Sequence, residues 1–294
     1  MFQKKTLAAA VTGALGLVAA GTSIAQTTVG NVQIYGRLYP EFTVAKSSGA
    51  TAAGASSSTL GPAPTGLNLK SRNSVDASNS RLGFRGTENL GSGLSAIWQI
   101  ESTVPLDQGG GILATRTSFV GLRGGFGTVK LGNMDTVYKS LGDPIGTLGI
   151  SSGNFVSTSN IISSRVPFGG SAGSFHLRAA NSVLYESPTL GGLQLFAQFA
   201  PGGTSGGAND ETRPAGDNGN RPQLWSLGGT YKAGAFTLSL GHETHEDFFA
   251  GSTAVPTALR NVTTGVGASA SSNDKSTRGT VSYDSRGTKV SLDL

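Results

Sequence analysis

The chain contains no cysteine and only three histidines, and charged residues make up only 13% of its 294 residues. Without cysteine, the fold does not depend on a disulfide framework. After residue 25, no apolar run is long enough to cross a bilayer as a helix. What the chain has in quantity is glycine, with 45 residues, together with many serines and threonines. This composition is typical of a protein with many strands and many turns.

The first 25 residues have the pattern of a secretory signal peptide. Lys4 and Lys5 precede an apolar run from Leu7 to Ala20, and the small residues before Gln26 provide a cleavage site after Ala25. The run is shorter than the ~20 residues of a transmembrane anchor. Removal of this segment lowers the formal net charge from +5 to +3. A charge so small and evenly spread argues against a nucleic-acid partner.

The stretch from Asn79 to Ser102 shows the organising pattern of the chain. It predicts two β-strands joined by a tight turn, because apolar and polar residues alternate with a period of two. In the second strand, one face carries Leu94, Ala96, Trp98 and Ile100, and the other carries Ser95, Ile97, Gln99 and Glu101. A soluble β-sandwich would also give this pattern in a single hairpin.

The same pattern recurs along the chain in a regular order. A first strand is predicted at 31–45, followed by a long polar connection at 46–78. Hairpins are predicted at 79–102, 114–134, 181–200, 223–245 and 276–294. Their short turns alternate strictly with long loops, as in an up-and-down meander with all short turns at one rim.

The polar strand faces carry residues that would be costly in a dry core but stable beside water. Among them are Arg37, Arg81, Gln198 and Arg278. A sandwich would need large apolar groups on those faces. We therefore predict an all-β fold, a transmembrane antiparallel up-and-down β-barrel with a water-filled lumen, in which eleven strands are counted. Aromatic residues that lie mostly near strand ends are predicted to form interfacial girdles, and they are Tyr35, Tyr39, Phe84, Trp98, Phe119, Phe126, Phe199, Trp225 and Tyr231.

Several motifs resemble those of the trimeric general porins of Gram-negative bacteria, in particular those of betaproteobacteria. The most specific are NSRLGFRGTENLGSGLSAIWQIE at 79–101 and RTSFVGLRGGFGTVKLGNMDT at 116–136. VQIYGRLY at 32–39 also carries the resemblance, and the stretches at 181–199 and 225–243 add weaker support. The likeness covers most of the chain.

The resemblance implies a barrel of sixteen strands, a homotrimer, and a third long loop that folds inward and narrows the pore. The barrel domain would occupy residues 26–294, and the inward loop would run from Asp135 to about Ala180. Members of the family end in an aromatic residue, whereas this chain ends in Leu294. Bacterial barrels of a single chain normally have an even number of strands, so the count of eleven has two explanations. Either an uncounted strand lies in the connections at 46–78 or 247–275, or the sequence is incomplete at its C-terminus, and we expect the second.

Selectivity in such a pore comes from its bore and from rings of charged side chains. The expected basic residues of the constriction are Arg37, Arg81, Arg85, Arg116 and Lys130. The resemblance implies that the inward loop supplies acidic residues, of which Asp135 and Asp143 are the nearest matches, with Glu101 a candidate on the wall. The alternative is that these side chains are merely hydrated lumen residues without influence on flux.

The sequence thus predicts an outer-membrane porin for passive diffusion of small hydrophilic solutes and ions, with a preference for anions. The expected partners are outer-membrane lipid, two further copies of the chain and the permeating solutes, and no cofactor is expected. A solute-specific channel is the main alternative, and a surface adhesin or a barrel enzyme is a weaker one. The pair His242 and His245 superficially resembles a zinc motif, but their spacing in a strand directs them to opposite faces.

Overall fold

The computed structural model describes residues 27–29, 31–51, 56–57, 61–62, 67–77, 79–142, 175, 177–201, 223–246, 273–285 and 288–293. The predicted signal segment, Asp143 and His176 lie outside these residues. No helix in the described ranges is long and apolar enough to cross a membrane. The described chain consists almost entirely of β-strands.

The elements are β1 (Thr27–Val29), β2 (Val32–Arg37), β3 (Glu41–Thr51), β4 (Ser56–Ser57), β5 (Gly61–Pro62), β6 (Leu67–Asp76), β7 (Arg81–Gly91), β8 (Leu94–Thr103), β9 (Ser118–Gly124), β10 (Gly127–Asp135), α1 (Val137–Leu141), β11 (Arg178–Glu186), β12 (Leu193–Pro201), β13 (Gln223–Ala233), β14 (Phe236–Glu246), β15 (Asn273–Ser285) and β16 (Thr288–Asp293).

The main sheet is an antiparallel meander in the order β1, β2, then β7 to β16. Its strands from β2 onward are the eleven predicted ones, and β1 is a short addition at one edge. Every neighbour in the sheet is also the neighbour in sequence, except where β7 follows β2. The pairing of the described strands places the strand ends that are joined by short connections at one rim and those joined by long connections at the other, as predicted.

The predicted first strand and the polar connection after it need correction. The strand predicted at 31–45 breaks at 38–40, and its second part is β3. β3 pairs with β6, which lies in the stretch predicted as a long polar connection, one of the two connections that could hold an uncounted strand. Because Arg37 pairs with Arg81 and Glu41 pairs with Asp76, this second ladder continues the β2–β7 hairpin beyond the main sheet. The serine-rich and alanine-rich composition of the connection concealed this hairpin extension.

The two faces of the main sheet are inverted relative to a water-soluble protein. On β14, Leu238 and Leu240 are exposed, whereas Ser239, Glu243 and His245 are buried. The exposed apolar set on the other strands includes Val120, Leu122, Leu131, Leu195, Leu227, Val281 and Leu292. An apolar face of this extent is satisfied by lipid, and the opposite face is the polar inner wall.

Aromatic contacts occur near both rims of the outer face. The ring centroids of Phe199 and Trp225 are 4.6 Å apart toward the long-loop rim, and those of Phe236 and Tyr283 are 4.9 Å apart toward the short-turn rim. The girdle prediction is wrong for Phe119, which packs on the inner face against Met134, Val137 and Leu184. It is also wrong for Tyr35, which faces inward and donates to Glu101. Proximity to a strand end does not reveal the face of a residue, and Phe119 pairs with the inward-facing Gln99.

Helix α1 follows β10 directly and lies against the inner face of β12 to β15. Val137 and Leu141 contribute to the apolar cluster that includes Met134 and Leu184. Tyr138 lies beside Gly241 on β14 and is buried. The inner wall under α1 is therefore covered by protein, whereas the wall formed by β2 and β7 to β9 carries a concentration of charged side chains.

We expect Leu240→Arg, at the middle of the outward face of β14, to lower the free energy of unfolding by about 2–4 kcal/mol, because the guanidinium would enter hydrocarbon. Urea titration of the protein in lipid vesicles measures this change. Thr237→Arg, on the inner face of the same strand, is the matched control and should cost much less. An equal loss in both variants would contradict the assignment of the faces.

Candidate functional site: a basic band on the inner wall

The first part of the site is built by a tyrosine side chain whose ring lies across a glycine of the neighbouring strand. Tyr35 on β2 pairs with Gly83 on β7, which pairs with Glu101 on β8. A Cβ atom at Gly83 would lie only 2.3 Å from Cζ of Tyr35. Because glycine leaves this space free, the ring spans β7 and its hydroxyl donates to Oε2 of Glu101 at 3.0 Å. The arrangement holds a buried carboxylate at a defined point of the inner wall.

Glu101 is the centre of a cluster of guanidinium groups. Nε of Arg116 donates to its Oε1 at 2.7 Å, and Nη1 of Arg81 lies 3.5 Å from the same oxygen. Hydrogen bonds to a charged partner contribute about 1.5–3 kcal/mol each. Arg37 pairs with Arg81 across the β2–β7 ladder, and its Nε donates to the carbonyl of Asn79 at 3.2 Å. Two cations thus share one carboxylate, and a third, Arg37, lies beside them on the neighbouring strand.

A second charged group lies where β10 ends and α1 begins. Oδ1 of Asp135 accepts hydrogen bonds from Nζ of Lys139 at 2.7 Å and from Nη2 of Arg178 at 3.0 Å. Burial lowers the pKa of the Lys139 ammonium below its usual value, although the charge of Asp135 opposes this shift. Again two cations share one carboxylate.

The two remaining predicted basic residues differ from each other. Arg85 lies exposed on the inner face, where its Nε donates to Oε1 of Gln33 at 2.5 Å and its guanidinium lies over the Tyr35 ring. Lys130 is paired with Glu186 at 2.6 Å and lies 5.0 Å from the ring centroid of Phe119. Lys130 is therefore neutralised locally and lies apart from the Glu101 cluster.

These charges define the basic band of the inner wall. Its members are the cations Arg37, Arg81, Arg85, Arg116, Lys139 and Arg178 and the carboxylates Glu101 and Asp135. Six cations against two carboxylates leave an excess of four positive charges. Such an excess on a wall beside water attracts anions and repels cations.

Seven of the eight residues predicted for the site are described, and six of them are brought together in the band. Lys130 stands apart, and Asp143 lies outside the described residues. Asp135 was expected as an acid opposite the basic wall, but it is already engaged by two cations of its own.

Sequence reasoning missed Lys139 and Arg178. Two signals in the sequence could have identified α1. Asp135 and Lys139 have the i,i+4 spacing of a helical ion pair, and Thr136 between them is a residue type that caps the N-terminus of a helix. Arg178 begins β11, but the strand was predicted to begin at Asn181. The register between β10 and β11 shifts between Gly132 and Met134, and Asn181 on β11 has φ of 53°. This irregularity interrupts the alternation of inward and outward residues on which the prediction depended.

The described residues contain no cluster of three or more His, Cys, Asp or Glu side chains that could hold a metal ion. The prediction that His242 and His245 point to opposite faces of the strand is confirmed. His245 is buried against Glu243, with Nε2 at 2.8 Å from Oε1, whereas His242 contacts Thr277 on the opposite face.

Curated relatives of this chain include outer membrane proteins of Neisseria. The major outer membrane protein P.IB of Neisseria lactamica is 36% identical over 141 residues, which are 47% of this chain and 38% of that protein. The protein of the same name from Neisseria meningitidis serogroup A is 32% identical over 173 residues, which are 57% of this chain and 44% of that protein. The chain thus spans less than half the length of these relatives.

A solved structure of a loop deletion mutant of OmpT, an outer membrane protein of Vibrio cholerae, matches with a TM-score of 0.52. The identity is 12%, and the match covers 89% of this chain and 67% of that chain, so the likeness supports the fold alone. Residues 6–293 match the family described as Gram-negative porin. Because this match extends over almost the whole chain, the protein belongs to the Gram-negative porin family and resides in the cell outer membrane.

Proposed function

We propose that the protein forms a water-filled channel for passive diffusion of small hydrophilic solutes and ions, with no chemical step. The observation that carries this proposal is the inner face of the sheet, which is polar and bears the basic band while the outer face is apolar. Membership of the porin family supports it. Charged side chains on an inner wall are stable only if water or paired charges surround them.

We further propose that the channel prefers anions. The basic band has four positive charges in excess, and selectivity in such pores is set by rings of charged side chains. The Debye length at physiological salt is about 8 Å, comparable to a narrow bore, so salt screens the band incompletely. Arg37, Arg81, Arg85 and Arg116 would supply the attraction, and Glu101 would moderate it.

The segment expected to run from Asp135 to about Ala180 is proposed as the constriction. In the structure β10 ends at Asp135 and β11 begins at Arg178, so the connecting segment is shorter at its C-terminal end than expected. Its first turn, α1, lies against the inner wall, which supports an inward course from the start of the segment. Asp135 and Asp143 would then place carboxylates near the basic wall. The proposed mature barrel domain is 26–294 after removal of the signal peptide 1–25, and we propose a homotrimer embedded in outer-membrane lipid by analogy with the family.

The preference for anions is tested by Arg85→Gln. Within the described chain, Arg85 donates to the amide of Gln33 rather than to a carboxylate, so the substitution removes a cation without freeing an acid. A unit charge ~10 Å from a permeating ion in water contributes ~0.4 kcal/mol, with opposite sign for an anion and a cation. The anion-to-cation permeability ratio should therefore fall up to about fourfold at low salt, and less at salt concentrations that screen the charge. The reversal potential in a planar bilayer under a salt gradient measures the ratio.

Lys275→Gln is the control for this measurement, because Lys275 pairs with the outward-facing Thr244 on the outer face. It removes the same charge without altering the inner wall and should leave the reversal potential unchanged. A cation-selective unsubstituted channel, or equal shifts in the two variants, would refute the assigned role of the basic band.

Glu101→Gln should change selectivity in the opposite direction. The amide keeps the size of the carboxylate and an acceptor for the Tyr35 hydroxyl, but it removes the charge that offsets Arg81 and Arg116. The permeability ratio should rise up to about fourfold in favour of anions at low salt. If Glu101→Gln and Arg85→Gln shifted the reversal potential in the same direction, a change in pore shape rather than in charge would be the cause.

A further inference from the structure

Helix α1 is too short to be stable without help from the wall. It comprises only five residues, Val137 to Leu141. Isolated helices shorter than about 12–15 residues are marginal in water. The first four amide groups of any helix lack partners within the helix, so a helix this short has almost no internal hydrogen bonding. Its conformation must be held by the surface on which it lies.

Two side chains of the barrel wall accept hydrogen bonds from these amides. The N–H of Val137 donates to Oε1 of Gln198 on β12 at 3.0 Å, and the N–H of Tyr138 donates to Oγ of Ser226 on β13 at 2.9 Å. The Thr136 cap accepts from the N–H of Lys139 at 3.3 Å. Gln198 and Ser226 have 0% exposure although they lie on the polar inner face.

Gln198 is itself held in place by the wall. Its Nε2 donates to Oγ of Ser182 on β11 at 3.1 Å, and that hydroxyl lies 3.0 Å from the carbonyl of Gly132 on β10. The amide group therefore has a fixed orientation, with its oxygen directed at α1. A polar chain runs from β10 through β11 and β12 to the first amide of the helix.

The wall is also shaped for α1. A Cβ atom at Gly228 would lie 2.4 Å from Cδ1 of Leu141, and one at Gly241 would lie 3.3 Å from Cα of Tyr138. These glycines let the helix approach the backbones of β13 and β14. The Tyr138 hydroxyl is 2.9 Å from Oγ of Ser276 on β15, which fixes the far side of the helix.

We propose that Gln198 and Ser226 are positioning residues that cap α1 from the barrel wall and thereby hold Lys139 in the basic band. A helix docked in this way fixes how far its backbone extends into the lumen and keeps the Lys139 ammonium beside Asp135. Both the width of the channel and its charge at this level then depend on two wall side chains that no permeating solute touches. This inference rests on the proposed channel function.

The position of α1 is measured independently of conductance with a spin label. The chain has no cysteine, so Ser140→Cys, an exposed position on α1, gives a single labelling site in the protein purified from outer membranes. Gln198→Met removes the acceptor at nearly constant volume. Loss of a capping bond shifts a helix equilibrium about fivefold, so the mobile spectral fraction should rise by about that factor.

Gln194→Met is the matched control, because Gln194 lies on the same strand and the same face and donates to the carbonyl of Ser187. It should leave the label as immobilised as in the unsubstituted chain. Gln198→Glu keeps an oxygen acceptor for Val137 in either protonation state and should rescue the immobilised spectrum. Ser226→Ala repeats the test at the second acceptor if Gln198→Met does not fold.

Single-channel recording of the unlabelled variants then tests the consequence for permeation. Gln198→Met should spend more time at conductance levels other than the main one. Its anion preference should be weaker, because the excess of the basic band falls from four positive charges to three when Lys139 leaves it. Identical label mobility in Gln198→Met, Ser226→Ala and the unsubstituted chain would overturn the inference. An unsubstituted protein that conducts no current, with its label immobilised, would refute the channel function while leaving the capping role of the wall intact.

Discussion

Backbone hydrogen bonding in hydrocarbon is the constraint on which the rest of this structure depends. No water is available inside a bilayer, so each strand must satisfy its N–H and C=O groups with its neighbours. A meander of antiparallel strands does this with short turns at one rim. Since strand side chains alternate between faces, the same pairing separates an apolar surface for lipid from a polar inner wall.

The polar wall has two regions that satisfy their charged and polar groups in different ways. On β2, β7 and β8 the polar groups are stabilised by ion pairs and charged hydrogen bonds. Guanidinium groups share the buried carboxylate of Glu101, and the Tyr35 side chain reaches that carboxylate across Gly83. The carboxylate stabilises the arginines against mutual repulsion but does not neutralise them. The remaining positive charge is therefore spread over several residues that the wall holds in fixed positions, and it does not come from one exposed side chain.

On β12 to β15 the polar groups are satisfied by protein instead of water. Gln198 and Ser226 meet the amides of α1, and glycines on β13 and β14 give the helix its place. The wall thereby turns five residues with weak intrinsic helical stability into a defined element. Because α1 carries Lys139, the neutral side of the wall determines where one charge of the basic band lies.

The hairpins at 79–102, 114–134, 181–200, 223–245 and 276–294 could be predicted to within a few residues, because a period of two over long strands leaves a strong signal. The inward face of Arg37, Arg81, Arg85 and Glu101 followed from the same alternation. Prediction failed where alternation is interrupted, at the 38–40 break and at the irregularity beside Asn181.

Alternation along a strand assigns a residue to a face, but it does not say which residues of distant strands meet on that face. The amino-acid pattern alone was therefore sufficient for the fold, the membrane environment and the basic character of the wall. Only the register between strands decided that Tyr35 reaches Glu101 across Gly83, that Lys130 is neutralised by Glu186, and that Gln198 caps α1. Those contacts join residues up to 66 positions apart, for which a local sequence pattern carries no information.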